Sequence, residues 1–173
     1  MARVEVERPD KLKKRELGEL CQAAGGAIAD GAGFGWVKAP ERELFERYWR
    51  GVMVVPERTL FIGRLDGVIA GSVQLVSMPA QKEAWRHRCQ IDTHFVAPWA
   101  RGHGMARDLM EAAEIEARKQ DFSVIDLSVR ETQDVAIKLY ESLGFVRWGT
   151  NPAYATVGGE LVPGHFYYKD LSA

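Results

Sequence analysis

The chain reads as one α/β domain over residues 1–173, a mixed sheet with helices on both faces. Three observations predict this. First, Asp66-Gly67 sits between two β-rich runs, Thr59–Leu65 and Val68–Ser77, and such a pair supplies the positive φ angles that a two-residue hairpin turn needs. Second, the run Gln90–Val96 passes through a break at Ala97-Pro98 and a glycine-containing loop into an amphipathic stretch, Gly104–Lys119. Third, Val124–Val129 is β-branched and alternating, and beyond it Ala136, Leu139, Tyr140 and Leu143 recur at helical spacing until Gly144, a C-cap glycine. An antiparallel hairpin followed by strand–helix units needs a sheet covered by helices.

The remaining elements follow in order. Val4–Arg8 is a short first strand, and Asp10 caps a helix over Lys11–Ala24. Gly25–Gly35 holds five glycines in eleven residues, which argues against a stable helix and predicts a loop. Pro40 suits a helix's first turn, so Glu41–Gly51 is a second helix. The hairpin comes next, then a fourth strand over Arg86–Val96, then the helix–strand–helix–strand run to Asn151. Pro152–Pro163 reads as a loop and His165–Leu171 as a last strand. The predicted order is β-α-α-β-β-β-α-β-α-β-β, without repeats or a linker.

Composition narrows the function classes. A chain of 173 residues that is 46% hydrophobic can bury a core of one domain's size. A net charge of −1 creates no field that would draw the protein to nucleic acid or to an anionic membrane. Met1-Ala2-Arg3 leads into charged residues, so no signal peptide is expected, and no stretch approaches a transmembrane span. Cys21 and Cys89 are too few for a disulfide framework and lack metal-ligand spacing. Reduced, buried cysteines, no metal and a cytoplasmic location are the expectation.

The loop between the fourth strand and the helix carries the chemistry. Arg101-Gly102-His103-Gly104-Met105-Ala106 places glycines and an arginine at a helix N-terminus. There the backbone N–H groups lack intrahelical partners and the helix dipole favours negative charge. Glycine lets the backbone approach a bulky anion, and Arg101 suits a diphosphate. The loop lacks Gly-Lys-Ser/Thr, so it is not a mononucleotide loop. Arg107 stands where a third glycine would complete a dinucleotide fingerprint. A glycine-containing helix entry that binds nothing is the alternative on this stretch alone.

Arg101, Gly104 and Ala106 match Arg-x-x-Gly-x-Ala, which resembles the coenzyme A pyrophosphate loop of the GNAT superfamily of N-acetyltransferases. Downstream, Leu139-Tyr140-Glu141-Ser142-Leu143-Gly144-Phe145 resembles that superfamily's Leu-Tyr-x-x-x-Gly-Phe segment. The resemblance covers about residues 58–150, and the flanks by element order. It implies a GNAT-like mixed, largely antiparallel sheet of six to seven strands, acetyl-CoA as co-substrate, and pairing into a homodimer through late strands.

Moving an acetyl group from a thioester to an amine requires a held donor, a hydrogen bond to the carbonyl as it becomes an oxyanion, a neutral amine and a proton for the thiolate. By resemblance, Phe95 and Val96 pair through their backbone with the pantetheine arm like an added strand, with the N–H of Val96, or one just after it, at the carbonyl. Gln133 stands where the family often has Asn and takes a similar cofactor contact. Tyr140 is the family's general acid, since a phenol stays protonated at neutral pH. The plainer reading makes it a core aromatic in register with Leu139 and Leu143. For the base, strand alternation puts Gln90, Asp92, His94 and Val96 on one face. Gln90 falls where some family members carry a catalytic Glu, which leaves Asp92 and His94 as candidates and Glu131 as a third.

The acceptor pocket is expected from the aromatic-rich segment after the first helix. Phe34, Trp36 and Trp49 are the substrate-binding candidates, although Phe45, Tyr48 and Trp49 also fit a core stripe. Trp148, Asn151, Tyr154 and His165 are placed opposite. A small-molecule amine is the expected acceptor, with a protein N-terminus or lysine as runner-up. An inactive coenzyme A-binding regulatory module and a generic nucleotide-binding domain are the other classes.

Overall fold

The computed structural model describes residues 1–172. Its strands are β1 (Val4–Glu7), β2 (Arg58–Leu65), β3 (Val68–Ser77), β4 (Arg88–Val96), β5 (Val124–Arg130), β6 (Val146–Val157) and β7 (Glu160–Asp170). Its helices are α1 (Lys14–Ala29), α2 (Arg42–Val54), α3 (Met105–Lys119) and α4 (Asp134–Ser142). All seven strands form one sheet, ordered β1-β2-β3-β4-β5-β7-β6. Every neighbouring pair is antiparallel except β4 and β5. The predicted fold class and element order are those observed.

Two cores sandwich the sheet. On one face α1 and α2 bury Leu17, Leu20, Phe45 and Trp49 against Leu60, Ile62, Ile69 and Phe95. On the other, α3 and α4 bury Met105, Leu109, Ile137 and Tyr140 against Phe61, Val73, Ile91 and Leu127. Sequence and packing agree at the Asp66-Gly67 turn, where φ is 50° and 85°.

Two elements depart from expectation. Helix α1 begins at Lys14, where Lys13 N–H donates to Glu16 Oε2 at 2.8 Å, and it runs through Gly25 and Gly26 to Ala29. A glycine inside a helix costs about 1 kcal/mol relative to alanine. Burying Ile28 returns roughly 1.5–3 kcal/mol, and Ala27 and Ile28 are 0% and 3% exposed, so burial wins. The expected loop Pro152–Pro163 is instead the end of β6, a turn at Gly158-Gly159 and the start of β7. Pro163 hides this hairpin from a reading by composition. The Gly158-Gly159 pair, with φ of 60° and 83°, is the signal for it.

Candidate active site

The parallel pair β4/β5 opens the site. Its ladder covers only Arg88–Gln90 against Val124–Asp126. Beyond it each strand presents unpaired backbone to the other across a gap. Ala97 N–H bonds back to Ala70 on β3, so alternation turns Val96 N–H away from β3 and toward that gap. The Val96 carbonyl faces the same way and accepts Arg101 Nε–H at 3.3 Å.

A bulge in β4 corrects the expected face. Gln74 lies opposite Asp92 and Ser72 opposite Phe95, so Thr93 and His94 together face Val73. Thr93 takes φ 48°. The extra residue switches the alternation. Asp92 and Thr93 both point toward α2, where Thr93 Oγ1 lies 3.3 Å from Tyr48 Oη and 3.2 Å from Asp92 Oδ1. His94 points the other way, toward α3 and α4. Asp92 and His94 therefore do not share a face.

The loop before α3 has the features of an anion cradle. Gly102 and Gly104 both sit at φ 83°, and a Cβ on either would meet no protein atom within 4 Å. Among the described residues, the N–H groups of Gly102, His103, Gly104, Met105 and Ala106 donate to no protein acceptor. The Met105 side chain is buried, so only its backbone can serve a ligand. Arg101 stands at the edge with Nη1 on Asp30 Oδ2 at 2.5 Å, a contact that holds its guanidinium at the mouth.

Tyr140 and His94 form the centre. His94 Nε2 is 3.0 Å from the Ala106 carbonyl, which can only accept, so Nε2 carries the proton. Nδ1 is then bare and accepts the Tyr140 hydroxyl at 2.9 Å. Burial pushes the Tyr140 phenol above the usual tyrosine range, so it stays protonated. Burial pushes the His94 imidazole down to about 4, against the opposing pull of its bond to Ala106. The imidazole is therefore neutral and only weakly basic at neutral pH, with both nitrogens engaged, one of them by the Tyr140 hydroxyl.

This burial has a consequence for stability. His94 binds its proton at about 4 when folded and near its ordinary 6.5 when unfolded. Between those values the unfolded chain takes up more protons. The stabilisation is present above about pH 6.5 and is lost as pH falls toward 4. The full difference amounts to about 3 kcal/mol. In urea denaturation, wild type should lose that much more stability than His94→Gln between neutral pH and pH 4. Parallel curves for the two proteins would contradict it.

Two cavities meet here. One, of about 400 Å3, runs along Arg101, Val96 and Ala106 to Gln133, Val135 and Leu139. The other, of about 520 Å3, is lined by Phe34, Asp92, Ser128, Arg130, Tyr140 and Tyr154 among others. They share Ala32, His94, Gln133 and Ala136 as lining residues, so the two cavities adjoin. Gln133 Nε2 donates to the Gly31 carbonyl at 2.8 Å and ties the α1–α2 loop to the start of α4. Asp92 accepts from Arg58 Nη1 at 2.8 Å and from Thr93, which fixes its carboxylate at the cavity wall.

Other expected residues fall elsewhere. Phe34 lines the larger cavity and stacks on Phe95 with ring centroids 5.1 Å apart. Trp36 lies instead against Phe45 and Tyr48, beside a separate groove on α2. Trp49 is 0% exposed and belongs to the core, which overturns its substrate-binding assignment. Its Nε1 has no partner. Trp49→Ala should cost roughly 3–5 kcal/mol in chemical denaturation. Glu131 lies outside both cavities, with Oε2 3.3 Å from His165 Nε2. Tyr154 does reach the larger cavity, where its hydroxyl is 2.8 Å from Ser128 Oγ, while Trp148 and Asn151 are exposed and His165 is buried outside it. Sequence reasoning missed Arg130 and the Asp30 partner of Arg101. An arginine closing the alternating strand, next to Val129, was the available signal for the first.

Residues 27–145 match the family model described as acetyltransferase (GNAT) family. The chain belongs to the GNAT acetyltransferase family. A GNAT relative from Azospirillum brasilense, described as an uncharacterized N-acetyltransferase in the hisH-hisA intergenic region, is 59% identical over 133 residues, 77% of this chain and 79% of its own. The GNAT fold recurs in an N-acetyltransferase from Staphylococcus aureus Mu50, with a TM-score of 0.82 at 19% identity over 98% of this chain and 99% of that one. It recurs again in a putative acetyltransferase from Salmonella typhimurium solved with acetyl-CoA, with a TM-score of 0.79 at 16% identity over 97% and 94%. The protein is accordingly an acyltransferase, an N-acetyltransferase that uses acetyl-CoA. The residues present fit that donor: free N–H groups and open glycines lie at the α3 terminus, beside unpaired strand backbone.

Proposed function

We propose that the protein acetylates a primary amine of a small molecule, by direct attack of the amine on the thioester. The observation that carries this is a cavity of about 520 Å3 lined by Tyr140 and roofed by the α1–α2 loop, adjoining the cavity beside Val96 and Arg101. That volume suits a small ligand. Phe34, packed on Phe95, gives this cavity an apolar wall of the kind a small ligand fills.

Acetyl-CoA, when bound, supplies the activated acetyl group. The Gly102–Ala106 amides hold the diphosphate, with Arg101 exchanging Asp30 for it. Val96 N–H, facing the β4/β5 gap, would donate to the thioester carbonyl. Asp92 draws the ammonium form of the acceptor inward and passes its proton to water in the cavity. Tyr140 turns its O–H from His94 Nδ1 toward the departing sulfur and protonates it. His94 then stands ready to re-accept the hydroxyl once it is reprotonated. The exposed Trp148 and Leu161 on the β6/β7 edge are the surface through which a homodimer would pair. Among the described residues no helix is long and apolar enough to cross a membrane.

A panel of small amines and of peptides with free N-termini or lysines, read by release of free thiol from acetyl-CoA, tests the acceptor class. Turnover confined to small amines is expected. Turnover only on peptides would replace this acceptor with the protein one. Coenzyme A binding without turnover on either would favour an inactive binding module.

A further inference from the structure

Arg130, the last residue of β5, is 8% exposed. Burying a guanidinium is costly unless it is paired, yet among the described residues no carboxylate lies within ion-pair distance of it. Its one protein partner is the Trp36 carbonyl, which Nη2 reaches at 3.2 Å. A guanidinium has five N–H donors. Among the described residues Trp49 Nε1 is the one buried side-chain nitrogen or oxygen both sealed off and unpaired, so Arg130 Nε and Nη1, which have no protein partner, are not sealed off, and the residue lines the acceptor cavity. The loop packs closely on the group: a Cβ on Gly33, at φ 67°, would fall 2.5 Å from its nitrogens and displace the fork. Asp92 lines the same cavity from β4, across the gap in the ladder.

We infer that Arg130 is the recognition site for an anionic group on the acceptor, so that the substrate is an amine carrying a carboxylate, of the amino-acid class. The planar fork matches a carboxylate in two parallel hydrogen bonds, in a cavity where those bonds are little weakened by water. Asp92 reads the ammonium end and Arg130 the carboxylate end, which orients the amine toward the gap beside Val96. The inference rests on the amine-transfer reading for its biological meaning, but its binding test does not.

The test uses the full chain saturated with coenzyme A. Free amino acids and ω-amino carboxylates are titrated against their matching amides, with tryptophan fluorescence as the readout, in wild type, Arg130→Gln and Arg130→Lys. Gln retains a donor for the Trp36 carbonyl and removes the charge. At least one acid should bind roughly ten- to hundredfold more tightly than its amide in wild type, the scale of a hydrogen bond to a charged group. Arg130→Gln should erase that ratio while leaving amide binding unchanged, and Arg130→Lys should keep part of it. A role confined to holding the loop would weaken acids and amides alike. Equal binding of acids and amides in wild type, or no binding of any acid, overturns the inference. Acids that bind selectively but release no thiol from acetyl-CoA would leave the Arg130 site standing and remove the transfer reading instead.

Discussion

Tyr140→Phe should lower the single-turnover rate of acetyl transfer by roughly 10²–10⁴-fold, the usual scale for a general acid. The ring still packs beside Phe145 and against the α3/α4 core, so the fold survives. The hydroxyl's one protein partner is His94 Nδ1, and its loss leaves a buried nitrogen without a donor, a cost of about 1–3 kcal/mol. A thermal shift of that size is therefore expected alongside the rate loss. Affinity for the acetyl donor should change far less, because the proton matters chiefly in the transition state. His94→Gln should share part of the rate defect without abolishing it, since it disturbs the aim of the hydroxyl and leaves the hydroxyl in place. An unchanged single-turnover rate in Tyr140→Phe would return Tyr140 to a core aromatic and leave solvent as the proton donor.

Gly104→Val should weaken coenzyme A binding by at least about a hundredfold, from both strain and obstruction of a diphosphate. Gly104 is the N-cap of α3 at φ 83°, a conformation β-branched residues resist. No protein atom lies within 4 Å of the position its Cβ would take, so the clash is with the ligand and folding should survive. Gly104→Asn separates the two effects, because Asn enters the left-handed region at low cost yet still fills the cradle. Calorimetry should show both variants impaired. Unchanged affinity in a folded Gly104→Asn protein would move the diphosphate away from this loop.

What was legible in the sequence was mostly local. The Asp66-Gly67 turn, the Arg101–Ala106 loop and the helical spacing that places Tyr140 on the inner face of α4 are all short-range patterns, and each holds in the structure. The failures arise where distant parts of the chain decide. Alternation predicted Asp92 and His94 on one face, but the bulge at Thr93 depends on how β3 meets β4, which no window of β4 reveals. His94 is held neutral because α3 and α4 close over it. Trp49 was legible as either core or pocket, and packing against Phe45 and Phe95 decided for the core. Gly25 and Gly26 read as loop because propensity ignores the burial of Ala27 and Ile28 beyond them. Arg130 was passed over because its significance lies in the missing carboxylate around it, which is a property of the fold.

The most direct measurement is an amide NMR titration of the nitrogen-labelled protein with acetyl-CoA. The central claim is that the donor lies in the β4/β5 gap, with its diphosphate on the first turn of α3 and its carbonyl at Val96. The largest shifts should then fall on the backbone amides of Val96 and Gly102–Ala106, with the buried indole of Trp49 unmoved. Saturating shifts gathered instead on the α2 groove around Leu44 and Val55, or no shifts at all, would contradict it.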